Sequence, residues 1–194
     1  MAIGTASSIL TGYVTGDGGN TWTEAGQMPV SGAALVDCPA ASTCLAAVSG
    51  DGVDFVSTSD GGSSWTGSAQ VPGVASATGI SCPSASYCVV TGSDDAAVTS
   101  DGGTTWTQSN IPSGVSTLGG LACISTAVCW AAATVSPSAS AGASSGAILV
   151  SNNGGVSWNE ASESGGGAFR AVACAAPGCV GVGPGETATG GGSS

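Results

Sequence analysis

Carboxylates are the main side chains of this sequence that could carry out acid–base chemistry. The chain has 12 Asp and Glu residues, a single Arg, and neither Lys nor His. Two carboxylates on either side of a glycosidic bond are enough for its hydrolysis. Candidates for such a pair are Asp37, Asp51, Asp54, Asp94, Asp95, Glu160 and Glu163. We favour the more common role of such acids, which is to keep loops and strand edges solvated, so a two-carboxylate glycoside hydrolase is a minority hypothesis.

The scarcity of basic residues excludes most other chemistries. A Ser or Thr nucleophile would have no visible partner base. With a net charge of −11 and Arg170 as its one cationic side chain, the chain cannot offer a positive surface to nucleic acid or anionic lipids. The Asp94-Asp95 pair could attract calcium, but it lacks a recognisable series of ligands. We therefore predict a protein that is not an enzyme and has no cofactor, no metal and no nucleic-acid partner.

The cysteines occur as four close pairs. These are Cys38 with Cys44, Cys82 with Cys88, Cys123 with Cys129, and Cys174 with Cys179. Zinc sites need a compact cluster of ligands, which pairs spread along the chain do not supply. An even number of cysteines in four short hairpins predicts four local disulfides formed in an oxidising compartment.

Disulfides indicate a secreted or cell-surface protein, yet Met1–Leu10 has neither the basic region nor the apolar run of a secretory signal. We expect that the signal has been removed from this chain. No apolar run is long enough to span a membrane, so membrane insertion is not expected.

One phrase occurs four times and sets the organisation that must position these residues. The copies are Thr15-Gly-Asp-Gly-Gly-Asn-Thr-Trp22, Thr58-Ser-Asp-Gly-Gly-Ser-Ser-Trp65, Thr99-Ser-Asp-Gly-Gly-Thr-Thr-Trp106 and Ser151-Asn-Asn-Gly-Gly-Val-Ser-Trp158. Their tryptophans are 43, 41 and 52 residues apart. A period of this size is typical of solenoids and propellers.

The phrase has the composition of a turn between two strands. Its acid, Asp17, Asp60 or Asp101, can accept hydrogen bonds from nearby backbone N–H groups, and Asn153 can do the same in the fourth copy. The two glycines allow positive φ, and the tryptophan is expected to be buried between sheets. Short strands with turn signals and no sustained helical period predict an all-β fold, with four strands in each repeat. In the third repeat we expect them at residues 79–82, 88–91, 96–99 and 104–107.

The phrase resembles the Asp-box, or bacterial neuraminidase repeat, whose pattern is Ser-x-Asp-x-Gly-x-Thr-Trp. Together with one cysteine hairpin per repeat, it is similar to secreted β-propellers of the sialidase-like and photosystem II assembly factor-like superfamilies. The resemblance covers nearly the whole chain and implies a β-propeller in which the box is a structural turn remote from any active site. Sialidases hold the substrate carboxylate with three arginines, whereas this chain has only Arg170. The resemblance therefore implies the fold and not the activity.

The order of the repeats predicts how a ring would close. The chain begins with a third strand (residues 9–15) and a fourth (21–24), and it ends with a first (171–174) and a second (179–182). We predict a small propeller of four blades, each with four antiparallel strands, in which the two termini jointly form one blade and remove exposed sheet edges. The alternative is half of a larger ring, completed by a second copy or by further sequence. Residues 1–185 would form the single domain, with a low-complexity loop at 136–146 and a flexible tail at 186–194.

Few aromatic residues remain to contact a ligand once the boxes are assigned. Trp130 and Tyr87 are the candidates, although for Trp130 we favour the alternative that it packs within its sheet. We predict a secreted, non-catalytic module that binds an extracellular glycan or protein through its loops. The alternative is a structural subunit of a cell-surface or extracellular assembly, in which the partner could be a second copy of the chain.

Overall fold

The structure is a computed structural model that describes residues 1–6, 9–136, 144–164, 168–175, 178–183 and 186–191. Within those ranges it contains strands and no helix. The strands are β1 (Ala2–Ala6), β2 (Ile9–Val14), β3 (Thr23–Gln27), β4 (Ala33–Ala40), β5 (Thr43–Gly50), β6 (Gly52–Thr58), β7 (Thr66–Gln70), β8 (Gly79–Ser81), β9 (Cys88–Thr91), β10 (Ala96–Thr99), β11 (Thr107–Gln108), β12 (Val115–Cys123), β13 (Cys129–Val135), β14 (Ser145–Ser151), β15 (Asn159–Ser164), β16 (Ala171–Ala175), β17 (Gly178–Gly183) and β18 (Glu186–Gly191). Most of the predicted low-complexity loop lies outside the described residues.

The strands form five antiparallel meanders that follow one another along the chain. Their orders are β1-β2-β3, β4-β5-β6-β7, β8-β9-β10-β11, β12-β13-β14-β15 and β16-β17-β18; we call them the first to fifth sheets. The first strands of the last four sheets, β4, β8, β12 and β16, contact one another in succession. Consecutive meanders around a shared line of first strands are the arrangement of a β-propeller, which confirms the predicted fold class at this level.

The third sheet shows how closely the strand pattern was predicted. Its first three strands were expected at residues 79–82, 88–91 and 96–99 and are observed at 79–81, 88–91 and 96–99. The fourth was expected at 104–107 but begins only at Thr107. The delay arises because the Asp101 carboxylate holds the backbone N–H and hydroxyl of Thr105 inside the preceding turn.

The ends of the chain differ from the predicted joint blade. Residues 2–6, for which no strand was predicted, form β1 and pair with β2, so β1 is the second strand of the first sheet, as β5 is of the second. Residues 186–191, expected to be part of a flexible tail, form β18 and pair with β17. The predicted joint blade is therefore wrong. The N-terminal strands are extended by β1 and the C-terminal strands by β18, so the two termini form separate sheets. Among the described residues, the first sheet has no first strand and the fifth sheet has no fourth strand.

The second strands show how the core is built between sheets. Along β5, Cys44, Ala46 and Val48 belong to the cluster shared with the first sheet. The alternate residues Leu45 and Ala47 belong to the cluster shared with the third sheet. Since successive side chains of a strand point to opposite faces, both faces of each inner sheet are apolar, and small residues such as alanine allow the sheets to approach closely.

Strand directions separate the molecule into two ends that matter for function. The repeat turns and the cysteine hairpins, which join third to fourth and first to second strands, lie at one end, here called the turn face. The hairpins between second and third strands and the connections from one sheet to the next lie at the other, here called the loop face. Among the described residues no helix exists that could cross a membrane.

Candidate binding site

The repeat turns are built by a short hydrogen-bond network around the acid. In the second copy the Thr58 hydroxyl donates to Asp60 Oδ1 at 2.7 Å and accepts the backbone N–H of Gly62 at 2.9 Å. Asp60 Oδ1 accepts the backbone N–H of Ser64 at 2.9 Å, and Oδ2 accepts its hydroxyl at 2.6 Å. The first and third copies repeat this pattern around Asp17 and Asp101. The carboxylate thus accepts hydrogen bonds from the residue four positions ahead, as the composition of the turn predicted.

The leading Thr or Ser is a turn residue that sequence analysis did not assign a role. Its hydroxyl sits between the acid and the second glycine in all four copies, at Thr15, Thr58, Thr99 and Ser151. A Thr or Ser begins all four phrases, and this regularity was the signal in the sequence for its structural role. The turn is therefore held from both sides of the glycine pair.

These hydrogen bonds stabilise the charged form of the acids. The Thr21 hydroxyl and backbone N–H, with the Thr15 hydroxyl, lower the pKa of Asp17 to about 2. Ser64 and Thr58 do the same for Asp60, whose pKa is also about 2. In the fourth copy Asn153 Oδ1 accepts from Ser151 and from the Ser157 backbone, while Nδ2 donates to the Ser157 hydroxyl at 2.8 Å. The turn survives the change to Asn, as predicted.

Each box tryptophan after the first packs on the sheet that precedes its own. Trp65 joins the cluster of the first and second sheets with 8% of its surface exposed, and Trp158 joins that of the third and fourth with 4% exposed. Trp106 meets Phe55 edge to face, with 5.0 Å between ring centroids. Trp22 is the exception to the predicted burial, since 47% of it is exposed.

All four predicted disulfides are present. Cys38 is bonded to Cys44, Cys82 to Cys88, Cys123 to Cys129, and Cys174 to Cys179. Each closes the hairpin between a first and a second strand. The turn face is therefore held by covalent bonds and by the turn networks, which suits a scaffold better than an adaptable ligand site.

The two predicted ligand contacts are occupied by internal packing. Trp130 is only 8% exposed and lies in the cluster between the fourth and fifth sheets with Ala132 and Phe169. The Tyr87 hydroxyl donates to the carbonyl of Gly154 in the neighbouring repeat turn at 3.1 Å, and burial raises the pKa of Tyr87. Trp130 packs in its sheet, as the alternative had it, and its ring has little surface left for a sugar.

The candidate acids fall into separate roles. Asp37 accepts hydrogen bonds from the backbone N–H groups of Cys38 and Cys82 and links two sheets. Asp51 lies at the exposed tip of the β5–β6 hairpin, and Asp94 and Asp95 lie in the β9–β10 hairpin. Asp54 lies on β6. Glu160 lies on β15 at the opposite end of its sheet from the loop face, and the side chain of Glu163 is outside the described residues.

A groove on the loop face brings together residues that sequence analysis did not select. It has a volume of about 450 Å³ and is lined by Gly52, Val53, Gln70, Val71, Pro72, Gly73, Val74 and Ala75. The Gln70 side-chain amide donates to the carbonyl of Asp51 at 2.9 Å and so ties one wall to the hairpin tip. The Pro72-Gly73 dipeptide was a signal for a turn, but nothing in the sequence placed it beside the β5–β6 hairpin.

Asp95 lies in the β9–β10 hairpin, close to the groove. Its Oδ1 atom is buried and has no hydrogen-bond partner. A methyl group placed on Gly92 would contact both this oxygen and, at 3.1 Å, Val74 of the groove, so Asp95 and the groove flank the same glycine. Burial, together with the neighbouring charge of Asp94, raises the pKa of Asp95. A positive charge brought near this carboxylate by a ligand would therefore stabilise its charged form.

Among the described side chains, the carboxylates do not converge on one point. Within the part of the chain that the structure describes, no group of three or more His, Cys, Asp or Glu side chains could hold a metal ion. The loop face has an apolar groove with acidic hairpin tips beside it, which is an arrangement suited to binding a ligand.

Comparison with known proteins identifies the fold. No protein-family model and no curated protein sequence matches the chain. Among solved structures, it is similar to YCF48 from Cyanidioschyzon merolae, with 17% identity and a TM-score of 0.64 over 93% of this chain and 60% of that one. A structure of YCF48 bound to D1 peptide has 14% identity and a TM-score of 0.52 over 96% of this chain and 72% of that one.

A third similar structure is an ancestral GH74 enzyme, with 12% identity and a TM-score of 0.54 over 82% of this chain and 25% of that enzyme. The chain thus spans 60% of the length of the first YCF48 structure and a quarter of the enzyme. At these identities the likeness shows the fold alone. The predicted resemblance is confirmed to that extent: the chain has a β-propeller fold, which it shares with these structures.

Proposed function

We propose that the chain is a non-catalytic β-propeller module of an extracellular protein that binds a positively charged protein segment at its loop face. The observation that carries the proposal is Asp95, which lies beside the groove with a buried carboxylate oxygen that has no partner. A Lys or Arg side chain would bring a positive charge to this carboxylate, and the apolar walls would cover the residues beside it. A peptide ligand is also compatible with the fold, since a YCF48 structure holds one.

The remaining features fit a binding module in an oxidising compartment. Four disulfides are expected to persist outside the cytosol. Asp17, Asp60 and Asp101 accept hydrogen bonds within the turns, and Asp37 connects two sheets. These four acids therefore have structural roles. A general acid and a general base for glycoside hydrolysis would have to come from the acids without such a role.

A binding assay with immobilised peptides separates the proposal from its competitors. We expect peptides containing Lys and Arg to bind, and acidic or neutral peptides of the same length to bind less. Affinity should fall as salt is raised, because part of the attraction is between exposed charges. Asp95→Asn should weaken binding about tenfold, because it removes one of the negative charges that attract the basic ligand.

The matched control is Asp17→Asn, which removes the same charge on the opposite face and keeps a turn of the kind that Asn153 forms. It should leave peptide binding unchanged. Binding to a glycan array without binding to basic peptides would show that the ligand is a carbohydrate and not a protein. Release of sugars from a polysaccharide, abolished by Asp95→Asn, would overturn the non-catalytic assignment.

A further inference from the structure

The fourth repeat turn contains the one Asn-Gly dipeptide of the sequence, Asn153-Gly154. Asparagine is a chemically labile residue, because the backbone nitrogen that follows it can attack its side-chain amide carbon. Glycine at the next position favours this attack, since without a Cβ it neither shields its nitrogen nor restricts the backbone. The other asparagines all precede larger residues; they are Asn20, Asn110, Asn152 and Asn159. Asn153 is therefore the asparagine most prone to this reaction.

The reaction, deamidation, replaces the amide by an acid in two steps. The Gly154 nitrogen forms a bond to Cγ of Asn153, the bond from Cγ to Nδ2 breaks, and ammonia leaves with the proton that the Gly154 nitrogen gives up. Water then opens the resulting cyclic imide. If the bond from Cγ to the Gly154 nitrogen breaks, the product is aspartate. If the bond from the main-chain carbonyl carbon breaks, the product is isoaspartate, in which the main chain runs through the former side chain.

In the folded chain both reacting groups are held by other partners. The Gly154 N–H donates to the carbonyl of Ala127, in the cysteine hairpin of the same sheet, at 2.7 Å. The Asn153 amide is held at both ends by Ser157: Nδ2 donates to the hydroxyl at 2.8 Å, and Oδ1 accepts the backbone N–H at 2.9 Å. An N–H that donates to a carbonyl keeps its proton, and an anchored amide cannot turn towards the nitrogen. The closed turn should therefore suppress the reaction.

The preceding sheet holds the same glycine. The Tyr87 hydroxyl of the third sheet donates to the Gly154 carbonyl at 3.1 Å. A methyl group placed on Gly154 would collide with that hydroxyl and with the carbonyl oxygen of Thr126, so the glycine is enclosed. Asn153 itself is exposed to water. Water for the second step is therefore at hand, and the first step requires the turn to open.

We infer that Asn153 is a site of spontaneous deamidation, and that opening of the fourth turn controls the reaction. Segments of a folded protein open locally with free energies below that of global unfolding. Opening of this turn would release the Gly154 nitrogen and the Asn153 amide together, because both are held within it. The inference is independent of the peptide site, since the turn lies on the face opposite the loop face.

The fold should distinguish the two products. Aspartate at position 153 would find the partners that Asp60 has, since Asp60 accepts both the N–H and the hydroxyl of Ser64 at the matching position. Isoaspartate lengthens the main chain by one carbon directly before Gly154, which is enclosed. Chains with aspartate should therefore rebuild a turn like the other three, and chains with isoaspartate should be less stable.

The test follows conversion of Asn153 by mass spectrometry of peptides, for the oxidised chain incubated in mildly alkaline buffer with and without urea. The folded chain should react at least about tenfold more slowly than the chain in urea. Ser157→Ala and Tyr87→Phe should each raise the rate in the folded chain about threefold to tenfold, because each removes a hydrogen bond that keeps the turn closed. The control is Ser64→Ala, which removes the matching hydroxyl of the second turn and should leave the rate at Asn153 unchanged. In urea all of these chains should react equally fast.

Three results would overturn the inference. One is an Asn153 that reacts as fast in the folded chain as in urea, and another is an Asn153 that stays intact in urea. The third is that Ser157→Ala and Tyr87→Phe react no faster than Ser64→Ala, because opening of this turn would then not control the reaction.

A second measurement tests the difference between the products. Brief proteolysis of the reacted and refolded sample in moderate urea degrades the less stable chains. The surviving chains should be enriched in aspartate over isoaspartate at position 153, with Asn153→Asp as the standard for the aspartate form. An unchanged ratio of the two products would contradict the predicted selection by the turn.

Discussion

The carboxylate of Asp37 accepts a hydrogen bond from the backbone N–H of Cys82, which belongs to the next sheet, at 2.6 Å. The same carboxylate also accepts the N–H of Cys38 at 2.8 Å. One sheet further on, the hydroxyl of Ser81 accepts the N–H of Cys123 at 3.0 Å. The residues before Cys38 and Cys82 therefore each connect their own sheet to the following one by a hydrogen bond. Asp37, a candidate catalytic acid, thus has a structural role.

Replacing Asp37 by Ala should destabilise the fold by about 1–3 kcal/mol, because a partly buried backbone N–H loses a charged acceptor. Ser81→Ala should cost less, since a neutral acceptor is removed. Urea denaturation with the disulfides intact measures both. Asp51→Ala, at an exposed hairpin tip, is the control and should have almost no effect. Equal stability of the Asp37 and Asp51 variants would contradict this role.

Asp60→Asn should preserve the turn and remove part of the pH dependence of stability. Since the pKa of Asp60 is held at about 2 in the folded chain, below its ordinary value of about 3.9, its contribution is complete above that ordinary value and is lost as pH falls towards 2. The variant should lose less stability than the parent between pH 6 and pH 2.5, as judged by urea midpoints.

The same reasoning gives a control for the pH experiment. Asn153 already forms the fourth turn without a titrating group, so Asn153→Asp should increase the loss of stability in acid. If the urea midpoints of the parent chain and of Asp60→Asn fell equally as pH is lowered, the turn acids would not govern stability in acid.

Gly26→Ala should be among the more destabilising small substitutions. A Cβ on Gly26 would lie against the carbonyl oxygens of Gly62 and Ser63 in the next repeat turn. Such overpacking typically costs about 1–3 kcal/mol. Gly16→Ala is the matched control, because a Cβ there would meet nothing within 4 Å. Thermal unfolding of the two variants should differ clearly, and coincident curves would contradict the close contact between the sheets.

Removing a single disulfide should weaken the fold without abolishing it. Cys123→Ala combined with Cys129→Ala should cost about 2 kcal/mol, because the bridge closes a short loop and restricts the unfolded chain only modestly. Alanine avoids placing a hydroxyl at the fully buried position 129. Guanidinium unfolding measures the loss. A double variant that fails to fold under oxidising conditions would show a larger role than loop closure.

The sequence predicted the features that depend on local pattern. The turn at Asp60 and the disulfide of Cys82 follow from residues that are close in the chain, and both are present. The separate terminal sheets could not be predicted in this way, because β1 and β18 are short segments with little side-chain pattern whose placement depends on a free backbone edge. The groove beside Val74 was missed since it forms only when a connection and a hairpin from different sheets meet.

The two ends of the sheets differ in how much their sequences vary from one repeat to the next. On the turn face, the four turns keep nearly the same eight residues, because the hydroxyl, acid and glycine network admits few alternatives. On the loop face, the corresponding hairpin is a single Asp51 in the second sheet and residues 92–95 in the third. New recognition properties could therefore evolve, or be engineered, by exchanging loop-face segments while the covalently closed side of the molecule stays unchanged.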